Sequence, residues 1–558
     1  MNTFTNDLNL QYLLKRYLKN NLHHYAVRKL PEFADMCSQI DERAKVTDRD
    51  GQPKLIKYDK YGEDISEVWV NEGYKQTVKD TYNTGIVGFI HKEIPELKQK
   101  GNYPFSFAQG YLLSQVEPGF YCPVTLTMAT AYLVDTYAND ELKAQFLPHI
   151  LSTGETELYE GATFLTERQG GSDVGANEVK AVKIDGQYHL YGEKYFASNA
   201  GMCGVVAVLA RLEDAPSGTK GLSLFLMPWK KSDGTNNHLQ IRRLKDKLGV
   251  RAVPSAEVVL EGSEAYLIGE ADQGFYYMME ALNLSRVCNA IASVGIMRRA
   301  YNEACNYTQH REAFGKKLSD YPMIRETLMT LKARQEVETS ACFHTIDLFD
   351  RVITNPSNIS VTEKALNRLY IALVKMRTAE EAITFSHEAI ELHGGNGYIE
   401  DFVTPRLLRD AQVLTVWEGT ENILGLEVLR LMEKFQVDQL FINEMLIKLN
   451  QISTEFKELV KPVKLAVTQL TELCQKVRSG SNQLQTYHAK KVANLMTDIY
   501  LSVIALEDAL LERGRKIAIA EIFLEELWSD KTFNDNPATL KYYDYLLGFE
   551  IGTETVSQ

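Results

Sequence analysis

Three regimes of apolar spacing follow one another along the chain. Residues 1 to about 155 space their apolar positions as helices do, and residues 139–147 open with the cap-type pair Asn139 and Asp140 before an amphipathic run. A polar insert at residues 48–53 interrupts this pattern, and residues 116–123 carry the Pro and Gly punctuation of a turn between helices. From about Gly161 the period shortens. β-favouring runs at residues 162–165, 179–184, 188–191, 204–212 and 222–227 predict strands, with Asp185-Gly186 a tight hairpin between two of them. This block ends near Leu267 and reads as a small antiparallel β domain. Helical spacing then returns at residues 274–310, 321–353 and 361–392, and again after Thr420, where Ile423, Leu424, Leu426, Val428 and Leu429 mark an apolar face. Four such helices predict a bundle whose Met, Leu and Tyr stripes form its core. Residues 435–558 continue as helix, with breaks at 479–481 and 534–537.

The expected fold is therefore mostly α with a central small antiparallel β domain. The expected division is an N-terminal α domain (1–158), a β domain (159–270), a four-helix bundle (271–434) and a C-terminal α extension (435–558). The 558 residues give ample length for this, and 45% apolar with 24% charged is an ordinary globular composition. A net charge of -13 argues against a nucleic-acid binder by default, because neutralising phosphates takes clustered Lys and Arg. The seven cysteines (Cys37, Cys122, Cys203, Cys288, Cys305, Cys342, Cys474) are odd in number and form no C-x-x-C pair, so neither a disulfide framework nor a metal site is expected. No apolar run reaches membrane-spanning length, and the first residues lack a signal-peptide core. A cytoplasmic protein is the expectation.

The candidate chemistry lies between residues 389 and 430. A glycine-rich turn (Gly394, Gly395, Asn396, Gly397) is followed by Trp417-Glu418-Gly419-Thr420 at the mouth of the fourth helix. Thr420 is placed to cap that helix, and Glu421 suits its first turn. Burial beside an indole would raise the Glu418 pKa toward that of a general base, while the positive helix end would lower it, and the residues alone leave both open. His393, within the turn, reads as packing.

Gly-Gly-Asn-Gly-Tyr followed at this distance by Trp-Glu-Gly-Thr resembles the catalytic segment of the acyl-CoA dehydrogenase family. Two further motifs similar to that family occur in its order, Thr166-Glu167-Arg168-Gln169-Gly170-Gly171-Ser172-Asp173-Val174 and Arg311-Glu312-Ala313-Phe314-Gly315-Lys316. The resemblance implies an oxidoreductase of CH–CH groups that uses FAD to turn an acyl-CoA into its trans-2-enoyl form. It implies that Glu418 takes the α-proton while hydride leaves the β-carbon. An alternative slot for the base on an earlier helix is occupied here by Ser285, before Arg286, and a hydroxyl cannot serve. Thr163, Leu165, Thr166 and Ser172 are implied to line the flavin, Ser172 also touching the CoA. Phe196 and Ser198 stand where the family has an aromatic and a hydroxyl at the flavin.

Arg311 and Phe314 match residues that reach the FAD of a neighbouring subunit, implying a dimer or tetramer. Glu391, Gly394 and Gly395 match an adenosine–phosphate contact, with Thr420 and Asn422 further implied contacts of the cofactor. Glu391 and Pro322 depart from the glutamines usual in the family, and a carboxylate near a phosphate would repel it. Asn283, Arg286 and Arg430 fall where the family places groups near the substrate.

Within the family the resemblance is to the AidB-like branch, carried by residues 116–131, 166–174, 243–252 and 416–430 and by the long N-terminus and C-terminal extension. That branch implies a second function, a DNA-associated flavoprotein of the alkylation response. A third is a flavoprotein that sequesters acyl lipid. Residues 435–558 hold 13 Lys and Arg against 17 Asp and Glu, and the basic knots Arg513, Arg515, Lys516 and Lys490, Lys491 read as solvated faces. The knot Arg242, Arg243, Lys245, Lys247 is no continuous phosphate track either. The dehydrogenase is therefore the leading expectation, within fatty acid β-oxidation and lipid metabolism. The extension, similar to those of long-chain members, favours longer acyl groups, and an electron-transferring flavoprotein is the implied electron acceptor.

Overall fold

A computed structural model describes residues 3–530 and 532–551. The chain forms two compact units, residues 19–288 and residues 1–18 with 289–558. It opens with helix α1 (Leu8–Tyr17), which belongs to the second unit.

The 19–288 unit begins with α2 (Asn20–Thr47), after which the polar insert leads into a hairpin that apolar spacing alone did not predict. Its strands are β1 (Lys54–Tyr58) and β2 (Asp64–Trp69), and helix α3 (Glu72–Tyr82) follows. Next come α4 (Tyr103–Ser114), α5 (Pro118–Tyr137) and α6 (Asp140–Ile150). Pro118 and Gly119 form the first turn of α5, where a missing N–H costs nothing. Asn139 caps α6 by accepting from the Leu142 N–H at 2.9 Å.

The β domain comprises β3 (Gly161–Phe164), β4 (Lys180–Ile184), β5 (Gln187–Ser198), β6 (Val205–Leu212), β7 (Leu222–Pro228), β8 (Leu239–Leu244) and β9 (Ser255–Ile268). Asp185 and Gly186 both take positive φ, 49° and 90°, as a two-residue hairpin of matching twist requires. Five strands close on themselves in the order β9-β5-β4-β6-β7-β9, with β8 beside β9 and β3 beside β6. The antiparallel reading holds for most pairs, but β3 and β4 both run parallel to β6. β6 is apolar almost throughout and buried on both faces from Val205 to Ala210, as the centre of a closed sheet demands.

The second unit is helical. α7 (Gly274–His310) enters it at Asn289 and leads to a short hairpin, β10 (Glu312–Ala313) and β11 (Lys316–Lys317). Then come α8 (Pro322–Thr354), α9 (Val361–His393), α10 (Thr404–Leu414) and α11 (Glu421–Phe435). The extension adds α12 (Val437–Gln451), α13 (Lys457–Ser479), α14 (Asn482–Leu511), α15 (Arg515–Trp528) and α16 (Ala538–Ile551). No helix among the described residues is long and apolar enough to cross a membrane.

Of the basic knot expected on a solvated face, Arg513 is exposed but its two neighbours are interior. Arg515 and Lys516 are 5% and 1% exposed. Both Glu336 oxygens on α8 accept from Arg515 at 2.5 Å, with Lys516 at 3.4 Å and Lys332 at 3.6 Å. Lys516 also donates to Asn9 of α1 and lies 3.3 Å from Asp508 on α14, which pairs with Arg16 at 2.6 Å. These charges join both ends of the chain to the bundle, and burial makes each depend on its partner. Despite burial, the three cations hold the Glu336 carboxyl well below its usual range.

In the other unit, Glu160 is buried immediately before β3, and one of its oxygens accepts from Asn199, just after β5, at 3.0 Å. Its Oε1 has no hydrogen-bond partner among the described residues. Burial pushes its pKa from 4.5 to about 7 against the pull of Asn199.

Two outcomes follow. Glu336→Gln removes the anion that pairs buried Arg515, so urea unfolding is expected to lose roughly 3–5 kcal/mol, mainly through the uncompensated cation left behind. Glu160 has a raised folded pKa, so its contribution to stability is greatest below pH 4.5, declines as the pH rises through 7 and is level above it. Wild type should therefore lose on the order of 3 kcal/mol between pH 5 and pH 8 relative to Glu160→Gln in parallel urea titrations. Equal slopes in the two proteins would contradict this.

Candidate active site

Glu418 occupies the turn between α10 and α11 with φ at 54°, a left-handed conformation unusual for a side chain without local polar compensation, and Gly419 follows at 103°. The Asn289 amide of α7 donates to Glu418 Oε2 at 3.0 Å and to the Leu414 carbonyl, the last of α10, at 3.1 Å. From α9, the buried Lys375 ammonium donates to the Gly419 carbonyl at 2.6 Å. Glu418 is half-buried, not adrift in solvent. Thr420 holds the N-cap position with extended backbone, but its hydroxyl makes no capping bond, which corrects the capping expectation. The acidic first turn is supplied by Glu421, which accepts from Lys490 at 2.9 Å and Asn494 at 3.3 Å. Asn422 and Arg430 are exposed on α11, Arg430 lying 3.7 Å from Glu427.

In the same unit, Arg311 and Phe314 belong to the β10–β11 hairpin. Phe314 and Gly315 take φ of 51° and 79° at its tip, and the phenyl ring is 98% exposed. Glu391 is exposed at the end of α9, and Gly394 ends the helix with φ 59°. A Cβ at Gly394 or Gly395 would meet no atom within 4 Å, so packing within the unit does not demand glycine there. His393 is buried, bonded to the Ala389 carbonyl at 2.6 Å and stacked on Tyr307, in keeping with a packing role.

The remaining candidates lie in the 19–288 unit. Thr163 is half-buried on β3, with Leu165 and Thr166 just beyond it. The loop that follows is anchored from inside. Glu167 accepts from the Glu178 and Val179 N–H groups at 2.6 and 3.2 Å and from buried Lys194 at 2.7 Å. Asn177 donates to the Leu165 carbonyl, and Thr166 accepts from the Tyr195 N–H. Ser172 is exposed at the loop's outer side. On β5, Phe196 is 53% exposed with Lys245 over one ring face at 4.7 Å, and the Ser198 hydroxyl is 3.1 Å from that of Ser255. On α7, buried Arg286 donates to Asn283 at 3.0 Å, and Ser285 is buried. The unit also holds a cavity of about 650 Å³ beside Trp69, Met202, Trp229 and His238, and no expected site residue lines it.

Sequence reasoning missed Asn289 and Lys375. Asn289 lies one helical turn beyond Ser285, so it shares that residue's face of α7, and this spacing was the available signal. Lys375 offered none, since one lysine in an amphipathic helix reads as surface.

As for a cofactor, the 19–288 unit offers an exposed aromatic two residues from the Ser198 hydroxyl and an anchored loop carrying Gly170 and Gly171, and the helical unit, taken by itself, offers an exposed guanidinium and an open glycine pair; each set has a chemistry suited to part of a flavin dinucleotide.

Family models match in three blocks. Residues 1–154 match the adaptive response protein AidB N-terminal domain, 162–263 the acyl-CoA dehydrogenase middle domain and 272–432 the acyl-CoA dehydrogenase C-terminal domain. Acyl-CoA dehydrogenase family member 11 of Caenorhabditis elegans is 30% identical over 534 residues, covering 91% of this chain and 84% of that protein. The solved structure of C. elegans ACDH-11 in complex with C11-CoA superposes with a TM-score of 0.88 at 27% identity, covering 100% of this chain and 96% of that one. An acyl-CoA dehydrogenase from Bacillus anthracis, solved with FAD, shares the fold at 20% identity and a TM-score of 0.69, covering 87% and 84%. With this coverage and the α, β, α order of the chain, the protein belongs to the acyl-CoA dehydrogenase family and carries an AidB-type N-terminal domain.

Proposed function

We propose that this protein is an FAD-dependent acyl-CoA dehydrogenase that converts a fatty acyl-CoA to its trans-2-enoyl thioester, with Glu418 as the α-proton base. The observation that carries this reading is a half-buried carboxylate held on a left-handed turn by an amide from one helix, with the next peptide held by a lysine from another. An α-proton beside a thioester is weakly acidic, so its removal needs a fixed base and a polarised carbonyl. Glu418 takes the α-proton, and its own N–H is the implied carbonyl donor. Bound FAD would supply the hydride acceptor for the β-hydrogen.

Thr163, Leu165, Thr166, Ser172, Phe196 and Ser198 would hold the flavin from the β domain, Ser172 also meeting the CoA. Arg311 would reach the diphosphate of a neighbouring subunit's flavin dinucleotide, and Gly394, Gly395, Thr420 and Asn422 would be further contacts of the cofactor. Glu391 is exposed and repels phosphate, so it would border that contact and not make it. Asn283, Arg286 and Arg430 would lie near the substrate. A fully exposed phenyl on a hairpin tip supports a role for Phe314 in a neighbouring subunit, hence a dimer or tetramer. Transfer of electrons to an electron-transferring flavoprotein would complete the turnover, in fatty acid oxidation.

The DNA-associated alternative draws on the AidB-type N-terminal domain. Three of its basic candidates in the β domain are paired within the chain, Arg242 with Glu193 and both Arg243 and Lys245 with Glu257. Anaerobic mixing with butyryl-, octanoyl- and palmitoyl-CoA is expected to bleach the bound flavin of wild type. Glu418→Gln should bleach at least roughly 1,000-fold more slowly. Equal bleaching would remove Glu418 as base. No bleaching of wild type, together with salt-sensitive duplex binding, would favour the alternative.

A further inference from the structure

We propose that Asn289 is a positioning residue that orients the Glu418 carboxylate for proton pickup, an inference resting on the assignment of Glu418 as base. The chemistry of the amide fixes its orientation. Its two N–H bonds go to two acceptors, Glu418 Oε2 at 3.0 Å and the Leu414 carbonyl at 3.1 Å. Flipping the amide would set its oxygen against both, and neither can donate when the carboxylate is ionised.

The opposite end of the side chain strengthens the case. Asn289 is 4% exposed, and its Oδ1 has no hydrogen-bond partner among the described residues. Its helix neighbours Cys288, Ala290 and Ile291 are all buried. An aliphatic side chain would satisfy that packing without stranding an acceptor, so the amide's value lies in what it donates. Its two acceptors are four residues apart, at the end of α10 and on Glu418. One side chain therefore spans the turn that carries the base and fixes both the backbone at its start and the carboxylate at its end. The donated bond also favours the ionised form that a base must hold. Lys375, donating to the Gly419 carbonyl, secures the peptide on the other side of Glu418.

The test uses the FAD-loaded full chain as wild type, Glu418→Gln, Asn289→Leu and the isosteric Asn289→Asp. Bleaching by butyryl-, octanoyl- and palmitoyl-CoA is followed anaerobically, and acyl-CoA affinity is measured separately. Asn289→Leu is expected to slow bleaching roughly 10- to 100-fold with affinity unchanged within about twofold, and Asn289→Asp to slow it further by placing a like charge beside the carboxylate. The second readout needs no turnover. The infrared carboxylate band of Glu418, isolated as wild type minus Glu418→Gln without acyl-CoA, is expected to shift in both Asn289 variants. An inert Glu418→Gln with both Asn289 variants at wild-type rates and an unmoved band overturns the inference alone. Wild-type bleaching by Glu418→Gln overturns the base assignment and the inference with it.

Discussion

A carboxylate on a left-handed backbone is the constraint from which the rest of the helical unit takes its meaning. Such a conformation in a non-glycine residue costs roughly 1–3 kcal/mol and persists only where the surroundings over-determine it. Here three helices converge on the six residues from Leu414 to Gly419. α10 ends at Leu414, α7 brings Asn289 to both ends of the turn, and α9 brings Lys375 to the peptide after Glu418. The conformation turns the side chain off the helical path just before α11 begins, in a turn held by hydrogen bonds from two other helices.

The same device recurs where the chain has to be held against its own flexibility. Glu167 gathers two backbone N–H groups and a buried lysine, and so fixes the loop that carries Gly170, Gly171 and Ser172. Glu160 and Asn199 link the start of β3 to the end of β5, the two strands that lead to Thr163, Thr166, Phe196 and Ser198. Glu336 gathers Arg515, Lys516 and Lys332 and ties the first helix and the extension to α8. Buried polar groups of this kind contribute little net stability, but they penalise every arrangement in which a partner is missing. They specify position.

Much of this was legible in the sequence wherever the signal was local. The long helices match their apolar spacing almost to the residue, as with 361–392 against Val361–His393, and Asp185-Gly186 forms the hairpin its backbone preference predicts. The parallel partners of β6 were not legible, because runs of β-favouring residues carry no strand direction. Nor was the interior role of Arg515 and Lys516, since their partner Glu336 lies 179 residues from Arg515. Around Glu418 the motif pointed to a candidate carboxylate and a capped helix after it. Thr420 kept the cap's backbone without its bond, and the two side chains that hold Glu418 and the peptide after it sit on other helices where only distance in space links them.

The most direct trial of the idea that Glu418 meets the α-carbon of an acyl thioester separates proton removal from oxidation. 3,3-Dimethylbutanoyl-CoA has α-hydrogens but no β-hydrogen, so it can be deprotonated and not dehydrogenated. In deuterium oxide, with the FAD-loaded protein, its α-protons should exchange in the presence of wild type and remain in place with Glu418→Gln, as read by proton NMR. Exchange by Glu418→Gln at the wild-type rate, or none by wild type, would contradict the assignment.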